Sequence, residues 1–181
     1  VAEQVFTNFV GLRVASATYF CADLSKIKDH LVAARPHLFF DVPRFWEKFE
    51  AALTANLLSS KAVKAKLNAW ARQVELESFR KSVQTGKEVD TLQRRLANKL
   101  VISKIKAASG LDELLGAGSG AAPAAHSTLE FFAAIGIPIH EGFGMTETTG
   151  MATANPLGRP RFGTVGQPMP GVQVRIADDG E

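Results

Sequence analysis

The segment EGFGMTETT, residues 141–149, brings a ring, a hydroxyl and a carboxylate together within five residues, 143–147. The glycines on either side of Phe143 leave a face of its ring free to stack on a nucleobase. Thr146 offers a hydroxyl to a phosphate, and Glu147 offers the hard oxygen that Mg²⁺ prefers beside phosphate oxygens. A polar turn with an exposed glutamate would explain any one of these residues. The whole set predicts a nucleotide–magnesium site.

A second stretch with little side-chain bulk, GAGSGAAP at residues 116–123, lies upstream, before a predicted helix. Without side chains the backbone can approach a flat or anionic ligand closely, and N–H groups at the start of a helix can bind phosphate. Gly116, Gly118 and Ala121 also match the dinucleotide pattern G-x-G-x-x-A, with Glu141 where a ribose-binding acid would lie. Tight packing between a strand and a helix explains the small residues equally well. The loop therefore predicts either nucleotide binding or close packing.

Around these two loops, hydrophobic periodicity predicts alternating strands and helices. Helices are predicted at residues 26–34 and 124–134, and strands at 12–20, 37–40, 111–115, 137–140 and 172–177. A long helical stretch occupies 43–108, breaks once at Thr85-Gly86, and carries apolar stripes such as Leu92, Leu96 and Leu100. Because strands alternate with helices, we expect an α/β fold with a parallel sheet. Loops are predicted at 116–123 and 141–150.

Composition excludes several classes of protein. With 181 residues, of which 46% are hydrophobic and 22% charged, the chain is too apolar to be intrinsically disordered. Its single cysteine, Cys21, excludes a scaffold held by internal disulfides and indicates a reducing compartment. No apolar run approaches the roughly 20 residues of a membrane span. We expect a cytoplasmic protein, because no signal pattern is present, and an internal fragment of a longer chain.

Charge is distributed unevenly along the chain. Residues 43–106 hold 14 basic and 6 acidic residues, a net charge of +8, whereas the whole chain carries +3. The simplest interpretation is a solvated helical face, and peripheral contact with an anionic membrane comes next. A nucleic-acid partner is not expected, since aromatic residues are not interleaved with the basic ones as stacking platforms.

Several motifs, in order along the chain, resemble one family. EGFGMTETT closely resembles the Y/F-G-M-T-E signature of AMP-forming acyl-CoA synthetases, in the adenylate-forming superfamily that includes firefly luciferase. GAAP at 120–123 resembles that family's adenine-pocket loop, and residues 163–171 resemble its G-x-x-G-x-P-x-P-G stretch. VPRFWEK at 42–48, followed by a helical insert, is similar to the long-chain fatty-acyl branch, and AEQV at 2–5 resembles the bubblegum type. The resemblance spans essentially the whole chain.

The resemblance implies a fold and a reaction. The chain would be part of the large α/β domain: a βαβ part (1–42), a helical insert (43–108), an adenine- and magnesium-binding part (109–162) and the start of a β subdomain (163–181). The reaction activates a long-chain fatty acid with Mg·ATP to an acyl-adenylate, and coenzyme A then forms the thioester. The family's phosphate loop is expected before Val1, and its ribose-binding Asp and catalytic Lys after Glu181. We therefore expect this chain to be inactive alone.

The resemblance also assigns residues. Phe143 would stack on the base, Gly144 and Met145 would lie near the acyl carboxylate, and the catalytic pair Thr146 and Glu147 would contact phosphate and Mg²⁺. The full nucleotide-contacting set comprises Gly118, Gly120, Ala121, Ala122, Pro123, Glu141, Gly142, Phe143, Gly144, Met145 and Thr146. Phe143 stands where tyrosine is commoner, which preserves stacking but removes a hydroxyl contact.

Three alternatives remain open at this point. One is an acyl-AMP ligase that passes the acyl group to a carrier protein, and another is an NAD-type nucleotide-binding domain. The third is a basic membrane-binding module in which both loops are merely structural.

Overall fold

The computed structural model describes residues 8, 11–58, 62–158, 160–178 and 180. Five strands form one sheet in the order β1-β2-β3-β4-β5. The strands are Leu38–Asp41 (β1), Gly116–Ser119 (β2), Ile139–Met145 (β3), Gly150–Ala154 (β4) and Gln167–Pro168 (β5). The first three are parallel, as the strand–helix alternation predicts, and β4 and β5 then add antiparallel neighbours.

Helices provide most of the remaining regular structure. They are Gly11–Val14 (α1), Ile27–Ala34 (α2, after a 3₁₀ turn at Leu24–Lys26), Pro43–Leu58 (α3), Ala62–Thr85 (α4), Leu92–Ala97 (α5), Ser103–Ala108 (α6) and His126–Ala134 (α7). A π turn, Asn98–Ile102, joins α5 directly to α6. Pro43 opens α3 because its fixed φ suits a first helical turn and its missing N–H is not needed there. Thr91 caps α5, its hydroxyl accepting a hydrogen bond from the Arg94 N–H at 3.1 Å.

Four sequence-based predictions of local structure are wrong. Residues 12–20 and 172–177 are not strands: the first contains α1 followed by irregular backbone, and the second is irregular. Residues 111–115 form a turn, and the strand begins at Gly116, inside the predicted loop. The predicted loop at 141–150 is largely paired strand. Strand formation requires a hydrogen-bonding neighbour, which β-branched composition alone does not reveal. The motif at 2–5 lies outside the described residues.

The main core lies between the parallel strands and helices α3 and α7. Trp46 of α3 is fully buried and meets Phe132 of α7 edge-on, with ring centroids 4.9 Å apart. Phe49, Leu129 and Ile139 complete the centre of this cluster. A second, smaller cluster joins α4 to the α5–α6 run through Ala71, Ala97, Val101 and Ile102. No described helix combines the length and apolar character needed to cross a bilayer.

Candidate nucleotide site

The signature segment forms a hairpin. Strand β3 continues to Met145, residues 146–149 turn, and β4 returns with Phe143 opposite Thr153. The hydroxyl of Thr148 closes the turn by accepting the Met145 N–H at 2.9 Å. Gly144 sits at a bulge, where a Cβ would fall 1.9 Å from the Gly150 carbonyl oxygen, so no other residue fits there. The turn therefore presents its side chains from a fixed backbone.

The residues predicted to carry the chemistry are exposed on this hairpin. Phe143 and Met145 are about half exposed, and Thr146 and Glu147 are exposed at the turn. Glu147 makes no hydrogen bond or ion pair with any residue that the structure describes, so its carboxylate is available to a ligand. No group of three or more His, Cys, Asp or Glu residues in the described chain could hold a metal by itself. One free carboxylate nevertheless fits Mg²⁺, which takes one or two protein carboxylates and completes its shell with phosphate and water oxygens.

The small-residue loop lies beside the hairpin. Ser119 pairs in register with Glu141, so both segments leave the parallel sheet at its carboxyl edge. A Cβ on Gly120 would lie 3.2 Å from the Gly142 carbonyl oxygen, which shows how closely the two backbones approach. The carboxyl edge of parallel strands is where open α/β sheets bind ligands. The fold therefore unites the two segments that the sequence singled out separately.

The ring of Phe40, on β1, occupies the space that the glycines leave open. A Cβ on Gly118 would lie 2.6 Å from Phe40 Cδ2, and one on Gly120 would lie 2.9 Å from Phe40 Cζ. These two glycines thus allow a ring from the neighbouring strand to lie across β2. The sequence signals only a strand at Phe40, and nothing in it connects that ring to residues almost eighty positions away.

Glu141 is buried and holds several segments together. Its carboxylate accepts the N–H of Gly163 at 2.9 Å and, more weakly, that of Ala124 at 3.4 Å. Its carbonyl accepts the backbone N–H of Asn155 at 3.0 Å, and the Asn155 amide donates to Thr164 O at 2.6 Å. The small-residue loop and the 161–164 turn therefore meet at the carboxylate of Glu141, and the end of β4 binds the carbonyl of the same residue.

This geometry does not fit the dinucleotide fingerprint. Gly116 and Gly118 lie within β2, whereas the fingerprint glycines belong in the turn that follows a strand. The carboxylate of Glu141 is occupied by backbone donors and is not presented to a ribose.

The side chains of Trp46, which is buried, and His140, which is partly buried, fix β2 against its surroundings. Trp46 Nε1 donates to the Gly118 carbonyl oxygen at 3.1 Å. His140 bridges strands and loop: the Gly158 N–H donates to Nε2 at 3.1 Å, and Nδ1 lies 3.1 Å from the Ala117 carbonyl oxygen. Since Nε2 accepts, the proton lies on Nδ1, and the imidazole is neutral. Burial lowers the pKa of His140, which agrees with this tautomer.

Comparison with known proteins assigns the family. The family model described as "AMP-binding enzyme" matches residues 2–181. The chain belongs to the AMP-binding enzyme family. The family predicted from the motifs is thus confirmed, and so is the α/β fold class.

The curated relatives are fatty-acid–CoA ligases by name. Long-chain-fatty-acid–CoA ligase ACSBG2 of Xenopus laevis is 33% identical over 180 residues, covering 97% of this chain and 24% of the relative. Putative fatty-acid–CoA ligase fadD11 of Mycobacterium tuberculosis is 39% identical over 163 residues, covering 88% of this chain and 28% of the relative. This chain therefore spans about a quarter of the length of these relatives.

A solved structure with local similarity is the A domain of carboxylic acid reductase from Segniliparus rugosus, in complex with AMP and a co-purified carboxylic acid. It shows 19% identity and a TM-score of 0.37, covering 76% of this chain and 17% of that one. Similarity of this size carries no weight for function.

Proposed function

We propose that this chain is the central part of the large domain of a long-chain fatty-acid–CoA ligase that forms AMP. One observation carries the proposal: the β3–β4 hairpin presents Phe143, Thr146 and Glu147 at the carboxyl edge of the parallel strands, beside the 120–123 loop. Membership of the AMP-binding family and the names of the relatives support the same activity.

The proposed reaction has two steps. An oxygen of the fatty-acid carboxylate attacks the α-phosphorus of ATP, the bond to pyrophosphate breaks, and an acyl-adenylate forms. The sulfur of coenzyme A, after losing its proton, then attacks the acyl carbon, and AMP leaves. Such chemistry depends on positioning and charge neutralisation more than on a protein nucleophile. When bound, Mg²⁺ would neutralise charge on the phosphates.

Each residue of the hairpin has a distinct role in this proposal. Phe143, half exposed, would stack on adenine between the hairpin and residues 120–123. The Thr146 hydroxyl would donate to a phosphate oxygen, and Glu147 would hold Mg²⁺. Gly144 and Met145, which follow Phe143 on the strand, would lie near the acyl carboxylate. Gly142 and Glu141 would border the adenine pocket, with Glu141 acting through the backbone groups it binds.

The test is acyl-CoA formation by the full-length protein with a long-chain fatty acid, ATP and coenzyme A. We expect Glu147→Ala to lower kcat at least about 100-fold, the usual cost of losing one transition-state contact. The control Glu77→Ala, which removes an exposed carboxylate on α4, is expected to stay within twofold. Phe143→Ala is expected to raise the KM for ATP, and Phe143→Tyr to preserve it. Retention of activity by Glu147→Ala would refute the assigned site.

The acyl acceptor is tested in the same assay. We expect acyl transfer to coenzyme A, as the relatives' names suggest. If acyl-adenylate accumulates in the presence of coenzyme A, but the acyl group is transferred when a phosphopantetheinyl carrier protein is supplied, the protein is the alternative acyl-AMP ligase.

A further inference from the structure

Residues 92–108 form one continuous helical run with two very different sides. Helix α5, the π turn and α6 follow one another without a break. The inner side packs Ala97, Val101 and Ile102 against α4. On the outer side three leucines point into solvent: Leu92, Leu96 and Leu100 are 81%, 49% and 38% exposed. The apolar stripe predicted from the sequence thus faces away from the core.

A π turn interrupts the regular helix along this leucine stripe. In a regular α-helix, side chains four residues apart drift about 40° around the axis at each step, so a stripe of this spacing winds away. The wider turn at Asn98–Ile102 offsets that drift between Leu96 and Leu100. Such turns inside helices occur frequently at functional sites. Together the three leucines form an apolar ridge on the exposed side of the run.

Basic side chains flank the ridge. Residues 92–108 contain five basic and no acidic residues. Arg94 turns inward to the buried Glu75 at 2.9 Å, and Lys106 is partly buried. Lys99 and Lys104 are exposed and form no ion pair with the residues that the structure describes. Arg95 is also exposed and pairs with Asp90 at 2.9 Å.

We propose that this surface, the leucine–lysine face (Leu92, Leu96, Leu100, Lys99 and Lys104), docks on an anionic lipid bilayer. An exposed leucine ridge can enter the boundary between headgroups and acyl chains, while lysines beside it reach the lipid phosphates. Charge complementarity selects an anionic leaflet. The face lies on the helical run and not on the β3–β4 hairpin, so the proposal holds independently of the proposed ligase activity. It also gives a location to the membrane contact expected from the +8 charge of residues 43–106.

The test is flotation of the full-length protein with phosphatidylcholine vesicles containing about 30% phosphatidylserine, at about 0.1 M salt. Binding is expected with these vesicles and not with pure phosphatidylcholine. Because each lysine near such a surface contributes about a fivefold factor, Lys99→Glu with Lys104→Glu is expected to lower the partition coefficient at least about 25-fold. Leu96→Gln is expected to lower it as well, since the ridge loses apolar insertion.

The matched control is Lys26→Glu with Lys28→Glu, the same charge change at exposed lysines of the Leu24–Ala34 segment. It is expected to stay within about threefold, and circular dichroism should show that all variants remain folded. Equal losses in both double variants would mean general charge attraction and would overturn the proposal. Unchanged binding of the face variants, with Leu96→Gln lowering the melting temperature, would mean that another part of the protein covers the face, and would overturn it too.

Discussion

Replacing Gly118 by alanine tests whether this glycine of β2 is needed to leave space for the Phe40 ring. The added Cβ would lie 2.6 Å from Phe40 Cδ2, about 1 Å inside a normal carbon–carbon contact. The ring is 37% exposed and can swing outward, so the cost is limited to the packing that the ring loses. Full burial of a phenylalanine is worth about 1.5–3 kcal/mol, so a ring buried by roughly two thirds loses about 1–2 kcal/mol.

A double-mutant cycle measures this coupling. Gly118→Ala is expected to cost about 1–2 kcal/mol in the wild-type protein and almost nothing after Phe40→Ala, because the ring is then absent. Gly120→Ala provides the contrast: its Cβ would lie 2.9 Å from Phe40 Cζ but also 3.2 Å from the Gly142 carbonyl oxygen. That oxygen belongs to β3, so Phe40→Ala should relieve only part of the cost.

The assay is urea unfolding of the full-length protein, with midpoints and slopes compared across the four variants of each cycle. A coupling below about 0.5 kcal/mol between Gly118→Ala and Phe40→Ala would refute the reasoning, since distant sites add to within that amount. If Gly118→Ala instead raises the KM for ATP tenfold and shows no coupling to Phe40→Ala, the glycine is required for the approach of the ligand.

Three further predictions concern polar contacts that hold the fold together. Trp46→Phe removes the hydrogen bond to β2 but leaves most of the ring packing, so we expect a loss of about 1–2 kcal/mol in urea unfolding. Burial lowers the pKa of His140 in the folded protein, so as the pH falls the unfolded chain binds a proton at this histidine before the folded protein does. The free energy of unfolding should therefore fall by up to about 1.4 kcal/mol per pH unit below about pH 6.5. His140→Gln should flatten that slope, and His37→Gln, at an exposed position, should not. Glu75→Ala strips Arg94 of its buried partner and should cost about 2 kcal/mol, less than for a fully buried pair because Arg94 retains other acceptors.

Each of these three predictions can be contradicted by a specific result. Wild-type stability in Trp46→Phe would mean that the indole N–H contributes nothing to holding β2. An unchanged pH slope in His140→Gln would contradict the neutral bridging tautomer. If Glu75→Ala lowers the free energy of unfolding by less than about 0.5 kcal/mol, the Glu75–Arg94 ion pair contributes no more than an ordinary surface pair.

The sequence by itself was sufficient to identify the family and to predict a candidate nucleotide site. The groups predicted to contact the nucleotide and Mg²⁺ lie in two short segments, 118–123 and 141–147, whose residue types indicate that chemistry without any tertiary information. The parallel arrangement also followed from local pattern, because parallel strands need a crossover connection, usually a helix, and the alternation of strands and helices supplies one. Helix α3 was predictable at Pro43 for an equally local reason.

Tertiary structure decided everything that depends on partners distant in the chain. Phe40 reaches Gly118, and Glu141 binds Gly163, because the sheet brings those backbones together, and no periodicity encodes such pairs. Residues 12–20 have strand-like composition but no neighbouring strand among the described residues, so they do not extend the sheet. Helical spacing showed that Leu92, Leu96 and Leu100 share a stripe, yet a stripe alone does not say which side faces the core. The contact with α4 decides it, because Ala97, Val101 and Ile102 on the other side of the run pack against that helix.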